Sequence, residues 1–211
     1  PLPPAAPTNS LAFDIGTGTG VLAAILARRG VQQVIATDQD PRALTCAGEN
    51  LARLALAGRI TLQEADLFPE GRAPLIVCNP PWVPARPSSP VEHAVYDPES
   101  RMWRGFLQGR AAHMAPGGEG WLILSDLAEH LGLRSRSELL DWIAAARLQV
   151  LSRVDVKPQH PKAADASDAV DVGRDAIDRK CPVHLVGGDL DANLRAAVQV
   201  DGVGKAVDLE A

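Results

Sequence analysis

The feature that most constrains the fold of this chain is a short apolar run followed by alternating glycines and then by an alanine- and leucine-rich stretch. The apolar run is residues 11–15, the glycines are Gly16, Gly18 and Gly20, and the alanine-rich stretch is residues 21–28. Strand, glycine turn and helix in this order open the βαβ unit of a nucleotide-binding α/β fold. The glycines let the backbone approach a ligand closely. The sequence therefore predicts a doubly wound, mostly parallel sheet with a ligand crevice at this turn.

The spacing of the glycines disfavours a dinucleotide as the ligand. A dinucleotide fingerprint has its third glycine where this chain has Val21. Asp14, near the end of the first predicted strand, would repel a diphosphate and suits a ligand that carries an ammonium group. A nicotinamide-dependent oxidoreductase shares the strand, the turn and a ribose-binding acid, but it is the less favoured hypothesis for these two reasons.

Two further predicted strands also end in acids. Residues 33–38 end at Asp38, roughly 20 residues past the glycines, which is where such folds place a ribose-binding carboxylate. Residues 59–66 end at Asp66. Ligands of open α/β sheets bind outside the carboxyl ends of the strands. Asp14, Asp38 and Asp66 are therefore predicted to line one crevice.

A second motif follows the fourth predicted strand, residues 73–78, and consists of Asn79, Pro80, Pro81 and Trp82. Each proline fixes φ at about −65° and lacks an N–H, so the chain turns sharply and directs carbonyl oxygens into the crevice. A planar NH2 group could donate to the Asn79 side-chain oxygen and to the Pro80 carbonyl, with Trp82 packed on its flat face. The alternative is an ordinary proline-rich turn after a buried strand.

With these motifs, the chain resembles the class I S-adenosylmethionine-dependent methyltransferases over residues 11–156. The motif at residues 79–82 is similar to that of the amino-methylating branch, which comprises the protein-(glutamine-N5) methyltransferases of release factors and ribosomal proteins and the N6-adenine methyltransferases. The resemblance implies a seven-stranded, mostly parallel sheet with helices on both faces and an antiparallel last strand. It also implies S-adenosyl-L-methionine as the cofactor, and no metal.

The resemblance assigns roles to individual residues. It implies that the turn at residues 16–20 surrounds the methionine part of the cofactor and that Asp38 binds both ribose hydroxyls. It further implies that Asp66 and the Leu67 amide read the adenine edge. The residues expected to bind the cofactor are Asp14, Gly16, Thr17, Gly18, Gly20, Asp38, Asp66 and Leu67. The residues expected to act in catalysis are Asn79, Pro80, Pro81 and Trp82.

A protein glutamine side chain is favoured as the methyl acceptor. Tyr96, Asp97 and Pro98 are similar to the Tyr-Glu-Pro of glutamine methyltransferases, although Asp97 replaces the glutamate and Trp82 the commoner tyrosine. The chain is acidic, with a formal net charge of −5, and no cluster of Lys and Arg interleaved with aromatic residues is visible for phosphate contacts. An rRNA or DNA base stays open as the acceptor, as does a catalytically silent partner subunit of the same fold.

The length of 211 residues predicts one domain of ordinary size. Residues 1–10 are expected to be a proline-rich linker, residues 11–156 the cofactor-binding core, and residues 157–211 a closing strand with a tail unlike the family. Because the chain begins at Pro1, an upstream segment that recognises the substrate is expected to be missing. Three cysteines without a Cys-x-x-Cys pair fit a reducing cytoplasm, and no apolar stretch is long enough to span a membrane.

Local signals predict the remaining elements. Asp40 is expected to be the N-cap of a helix that begins at Pro41. Further helices are expected over residues 103–114 and 136–147, the second with Ser137 as its cap. The other predicted elements are a turn at residues 116–118 and strands at residues 120–125, 148–156 and 182–186.

Overall fold

The structure of the chain, a computed structural model, describes residues 10–86, 95–154, 180–187, 197–199 and 206–208. The chain divides into two compact units, which are described separately. The first unit comprises Pro1–Asn79 and Met102–Trp121, and the second comprises Pro80–Arg101 and Leu122–Ala211. Residues 1–9 of the predicted linker, residues 87–94 and 155–156 of the predicted core, and most of the predicted tail from residue 157 lie outside the described residues. Of the helices in the described part of the chain, none is both long enough and apolar enough to cross a membrane.

The first unit is a parallel sheet with helical connections. Its elements are β1 (Leu11–Ile15), α1 (Val21–Arg28), β2 (Gln33–Asp38), α2 (Pro41–Arg53), β3 (Ile60–Glu64), β4 (Ala73–Cys78) and α3 (Arg101–His113), followed by β5 (Met114–Ser125), whose last four residues belong to the second unit. β1 pairs in parallel with β2 and β4, and β2 pairs in parallel with β3. The strand order β3-β2-β1-β4 changes direction between β1 and β4, and such a switch point is where open α/β sheets bind ligands.

The centre of this sheet is apolar because helices and neighbouring strands enclose it. β4 is buried along nearly its whole length, as expected for a central parallel strand. α1 buries three alanines and one leucine, while Val21 and Ile25 are exposed. The core around this helix includes Ala12, Ala23, Ala24, Leu26, Ala27, Val34, Ala36, Leu51 and Val77. The predicted α/β class is confirmed in its parallel strands and connecting helices. The predicted bounds of the first strand, the first helix and the strands at residues 33–38 and 73–78 are confirmed as well.

Asp40 is the N-cap of α2, as predicted. Its side chain accepts a hydrogen bond from the Arg42 amide at 2.9 Å, and Pro41 occupies the first helical turn. The carboxylate satisfies one of the amides that a helix start leaves without an intrahelical partner. The cap fixes the point at which the chain leaves β2 and enters α2.

The predicted turn at residues 116–118 is wrong, because these residues lie within β5. Gly118 is buried, and a Cβ added there would lie 3.0 Å from the Pro74 carbonyl oxygen of β4 and 2.9 Å from the Ala115 carbonyl oxygen. Glycine thus allows this strand to approach the neighbouring backbone closely. The Pro-Gly-Gly sequence that favours a turn in isolation here serves close packing.

The second unit contains the remaining elements. They are a 3-10 turn at Pro98–Ser100, α4 (Leu127–His130), α5 (Arg136–Ala145), β6 (Leu148–Arg153), β7 (Lys180–Gly187), β8 (Ala197–Gln199) and β9 (Ala206–Asp208). β7 contains the predicted strand at residues 182–186 and pairs antiparallel with β6, and β8 pairs antiparallel with β9. A single sheet of seven strands stays a prediction.

The helix predicted over residues 136–147 forms as α5, but its cap is Ser135 and not Ser137. The Ser135 hydroxyl accepts a hydrogen bond from the Glu138 amide at 3.2 Å, and the Glu138 carboxylate accepts one from the Ser135 amide. This reciprocal pair is a capping box. Ser135 takes the role because its backbone is extended, with φ −85° and ψ 157°, whereas Ser137 is already inside the helix.

Candidate functional site

Three neighbouring strands of the first unit end at the same level. Ile15 of β1 pairs with Thr37 of β2 and with Cys78 of β4. The residues that directly follow these three are predicted site residues: Gly16, Asp38 and Asn79. The structure therefore brings the glycine turn, the expected ribose carboxylate and the first residue of the proline motif to one edge of the sheet.

The glycine turn adopts a conformation that side chains would oppose. Gly16 has φ +68° and Gly18 has φ +55°, both in the left-handed region that favours glycine. A Cβ added at Gly16 would collide with the end of the Met102 side chain of α3, which would have to move, and Gly16 itself is half-buried. A Cβ added at Gly18 would meet no described atom within 4 Å. The backbone of Gly18 therefore borders open space that a ligand can enter, and Gly20 lies directly before α1 as its N-cap.

Asp14 is fully buried below this turn. Its Oδ2 accepts hydrogen bonds from the Thr17 hydroxyl at 2.6 Å and from the Ala23 amide at 2.9 Å. Burial raises the pKa of the Asp14 carboxyl from 3.8 to about 6, opposed by these two hydrogen bonds and reinforced slightly by Asp38. Oδ1 has no hydrogen-bond partner among the described residues. Asp14 therefore ties the turn to the start of α1, and Thr17, also buried, is its partner.

Asp38 presents a carboxylate that is fixed by the backbone. Its Oδ2 accepts a hydrogen bond from the Gly18 amide and its Oδ1 accepts one from the Asp40 amide, each at 2.9 Å. The residue is half-buried. A carboxylate offers about four lone-pair sites, so both oxygens can accept further hydrogen bonds. This geometry suits a pair of neighbouring hydroxyl groups.

The loop after β3 carries the residues expected to read an adenine. β3 ends at Glu64, so Asp66 lies two residues beyond the strand, where it is exposed. Leu67 has φ +77°, which is uncommon for a residue with a side chain. Its carbonyl oxygen accepts a hydrogen bond from the Thr37 hydroxyl at 2.5 Å. Thr37 is a residue that the sequence interpretation missed, because its partner lies 30 residues away along the chain.

Asn79 is exposed at the end of β4, while the residues after it belong to the second unit. There, the Trp82 and Val83 amides both donate to the Val95 carbonyl oxygen at 3.0 Å. The Asp97 amide donates to the Val83 carbonyl oxygen at 2.8 Å. The backbone of the proline motif is thus tied to the stretch that contains the predicted Tyr-Asp-Pro signal.

A buried arginine also holds the proline motif within the second unit. Arg134 is 4% exposed, and its guanidinium donates to the Trp82 carbonyl oxygen at 3.4 Å and to the Ser100 hydroxyl at 3.3 Å. Burial lowers the pKa of Arg134, and nearby carboxylates, that of Asp97 first, oppose this change. No local sequence signal predicts this role, since Arg134 lies 52 residues beyond Trp82.

Among the described residues, no group of three or more His, Cys, Asp and Glu side chains is placed to hold a metal ion. The described residues at this edge of the sheet supply carboxylate, amide and backbone groups. These groups can bind hydroxyl and amino groups, and they can orient them.

Comparison with known proteins places these features in a family. The family described as methyltransferase small domain matches residues 3–136. A release factor glutamine methyltransferase of Cereibacter sphaeroides is 36% identical over 163 residues, which cover 68% of this chain and 55% of that protein. A ribosomal RNA small subunit methyltransferase C of Alcanivorax borkumensis is 34% identical over 113 residues, which cover 53% of this chain and 31% of that protein.

A solved structure shows the same fold. Geranyl diphosphate C-methyltransferase from Streptomyces coelicolor A3(2), in complex with Mg2+, geranyl diphosphate and S-adenosyl-L-homocysteine, aligns with a TM-score of 0.61. The alignment covers 83% of this chain and 72% of that chain at 13% identity, so the likeness concerns the fold, which is Rossmann-like. The chain spans about half the length of the release factor relative, 55%.

Proposed function

The chain belongs to the methyltransferase small domain family, and on this basis we propose that it transfers a methyl group from S-adenosyl-L-methionine to a planar amino or amide nitrogen. The observation that carries the proposal is the strand register, which sets the glycine turn, Asp38 and Asn79 at one edge of the sheet. That edge is where open α/β sheets bind their ligands.

The residues at this edge fit the proposed cofactor. The open space beside Gly18 admits a ligand close to the backbone. The Asp38 carboxylate, fixed by two amides, would accept hydrogen bonds from both ribose hydroxyls. Asp66 and the Leu67 amide would contact the adenine edge, while Asp14 and Thr17 would hold the turn that surrounds the methionine part. When bound, S-adenosyl-L-methionine supplies an electrophilic methyl group on a positively charged sulfur.

The proline motif would prepare the acceptor nitrogen. The lone pair of an amide or an aromatic amine is delocalised, so it must be freed before it can attack a methyl group. The Asn79 side-chain oxygen and the Pro80 carbonyl would accept hydrogen bonds from the two N–H groups and stabilise positive charge as it develops on the nitrogen. The methylated nitrogen would then lose one proton to water. One such preorganised contact is typically worth roughly 3 to 4 kcal/mol of barrier. Pro81 would fix the turn, and Trp82 would pack on the flat face of the acceptor.

A protein glutamine side chain is the proposed acceptor. The relative that covers 68% of the chain is named for this activity, and the Tyr96-Asp97-Pro98 signal points to the same branch. The net charge of −5 disfavours a surface for phosphates. An RNA base is the second candidate, favoured by the likeness to the ribosomal RNA methyltransferase.

We also propose a strand number for the sheet and domain bounds for the chain. The antiparallel pairing of β6 with β7 supports a seven-stranded, mostly parallel sheet that closes with an antiparallel strand. Helices would cover both of its faces. Residues 1–10 would be a linker, residues 11–156 the cofactor-binding core, and residues 157–211 the closing strand and tail.

The cofactor assignment is tested by calorimetric titration with S-adenosyl-L-homocysteine and, separately, with NAD. Asp38→Ala is expected to weaken the binding of S-adenosyl-L-homocysteine on the order of a hundredfold or more. The reason is that two charge-assisted hydrogen bonds of roughly 1.5 to 3 kcal/mol each are removed. Glu64→Ala is the matched control, since Glu64 is an exposed acid that pairs with Asp38 in the sheet register. Equal affinity in the wild type and Asp38→Ala would refute the ribose role, and tighter binding of NAD would favour an oxidoreductase.

The acceptor is tested by incubating the protein with tritium-labelled cofactor and a cell extract, followed by separation into protein, RNA and DNA fractions. Label on glutamine in the protein fraction is the expected result. Label confined to RNA or DNA would make a base the acceptor. Asn79→Ala gives the background in each fraction.

A further inference from the structure

Thr37 contacts both ends of the proposed cofactor site. Its backbone carbonyl oxygen accepts a hydrogen bond from the Thr17 amide in the glycine turn at 2.8 Å. Its hydroxyl donates to the Leu67 carbonyl oxygen in the loop after β3 at 2.5 Å. The residue is fully buried, and its contact with the Leu67 carbonyl oxygen is partly buried. One strand residue therefore joins two loops that are distant in sequence.

The loop after β3 depends on such a contact. Leu67 has φ +77°, a conformation that a side-chain-bearing residue keeps only when its surroundings impose it. The hydrogen bond from the Thr37 hydroxyl of β2 to the Leu67 carbonyl oxygen helps to hold this conformation. A partly buried carbonyl oxygen loses some of its hydration, so a hydrogen bond from the Thr37 hydroxyl favours this position of the Leu67 backbone.

Packing from α3 supports the same position. A Cβ added at Gly105 would lie 2.5 Å from Leu67 Cδ1, so the glycine leaves room for the leucine side chain. The Leu67 carbonyl oxygen thus accepts a hydrogen bond from the Thr37 hydroxyl, and the Leu67 side chain packs against Gly105. The Ala65 amide donates to the Asp38 carbonyl oxygen at 3.1 Å, which holds the start of the loop.

We propose that Thr37 is a positioning residue that sets the adenine-reading loop through its hydroxyl and the glycine turn through its backbone carbonyl. This inference rests on the proposed function, because the adenine role of Asp66 and Leu67 belongs to that proposal. The side chain of Thr37 holds the loop that would contact the adenine, and its backbone carbonyl holds the turn that would contact the methionine part of the cofactor. Removing the hydroxyl alone therefore changes recognition of the adenine and leaves the turn in place.

The test compares Thr37→Val, which lacks the hydroxyl, with Thr37→Ser, which keeps it. Each is titrated calorimetrically with S-adenosyl-L-homocysteine and with S-inosyl-L-homocysteine, in which an oxygen replaces the adenine amino group. In the wild type, the adenine compound is expected to bind more tightly. Thr37→Val is expected to weaken its binding about tenfold and to reduce the preference over the inosine compound, while Thr37→Ser restores both. Thr61→Val is the matched control, because Thr61 is an exposed threonine of β3.

Amide hydrogen exchange provides a second readout that does not depend on a ligand. In Thr37→Val, exchange is expected to become faster at residues 66–68 and to stay unchanged at residues 16–18, whose contact with the Thr37 carbonyl remains. Thermal unfolding shows whether the variant folds. If Thr37→Val does not fold, Thr37→Ala removes the hydroxyl without adding a methyl group to the buried site, and the same two measurements apply.

The outcomes separate this inference from the proposed function. Wild-type protein that binds neither compound would refute the cofactor assignment and, with it, the adenine role of this loop. Wild-type protein that prefers the adenine compound, with Thr37→Val keeping that preference and its affinity, would overturn only the role of Thr37. Failure of Thr37→Ser to restore binding would also overturn it, because the hydroxyl would then not be the group that matters.

Discussion

At the scale of single residues, the Asp14 carboxyl links the stability of the fold to pH. Its pKa is raised from 3.8 to about 6 by burial, so the folded state holds this proton more tightly than the unfolded chain does. The stability that it contributes is present in full below pH 3.8 and is lost as the pH rises through about 6. A rise of this size corresponds to about 3 kcal/mol at neutral pH.

Replacing Asp14 by Asn is therefore expected to stabilise the protein more at pH 7.5 than at pH 5, by about 1 kcal/mol. The neutral amide keeps an oxygen for the Thr17 hydroxyl and the Ala23 amide but has no charge to bury. Denaturant unfolding of both proteins at the two pH values measures the difference. Glu64→Gln, at an exposed acid, is the control, and a stability gap that does not change with pH would contradict the pKa assignment.

Asn79 is the residue on which the proposed chemistry depends. Asn79→Ala is expected to reduce turnover on the order of a hundredfold or more while cofactor affinity stays nearly constant, because Asn79 is assigned to the acceptor nitrogen. Single-turnover rates at saturating cofactor, together with calorimetry, measure the two effects. A variant that lost cofactor binding and kept its rate at saturation would show that the motif is a structural turn.

At the scale of elements, the backbone of the proline motif is held by Arg134. Arg134→Lys is expected to raise KM for the acceptor several-fold and to leave the cofactor Kd unchanged, since a lysine offers a single point charge in place of the fork that reaches Trp82 and Ser100. Steady-state kinetics and calorimetry separate the two effects. The control is Arg136→Lys at an exposed ion pair with Glu129, and an equal rise in KM there would mean that the effect does not come from the contacts of Arg134 with Trp82 and Ser100.

Local patterns were sufficient for most elements of the first unit, since apolar runs and glycines there coincide with the strands and the turn. They failed where a distant partner decides the structure. The Pro-Gly-Gly at residues 116–118 reads locally as a turn, but Gly118 fits beside the Pro74 backbone of another strand. The cap of α5 was a different kind of error, because Ser135 followed three residues later by Glu138 is a capping signal present in the sequence.

The same limit applies to the candidate site. The positions of Gly16, Gly18 and Asp38 at the edge of the sheet could be predicted from spacing alone, since the two glycines follow one strand and Asp38 ends the next. Thr37 and Arg134 could not, because their roles depend on partners 30 and 52 residues away in the chain. Asp14 shows a third case, because it was predicted to line the crevice and to suit an ammonium group, whereas its burial places it under the turn and not at a surface.

At the scale of the whole molecule, the net charge of −5 leads to a prediction about salt. Methylation of a protein acceptor is expected to change by less than about threefold between 50 and 200 mM salt. Activity on a nucleic acid held by several phosphate contacts would fall by orders of magnitude, because counterions are released on binding. Initial rates with the labelled acceptor fraction across this range measure the dependence. A steep fall would contradict the protein acceptor and leave the amino-methylation chemistry standing.

The shared level at which β1, β2 and β4 end has a consequence for how sequences of this kind can vary in length. Asn79 is set in place by its strand partners and not by the number of residues before it. Residues added to the exposed loop at Glu70 and Gly71 would leave the register intact. A single residue inserted within β4 would instead turn every later side chain of that strand to the opposite face. Gaps in alignments of related sequences should therefore fall in the loop and be absent from the strand.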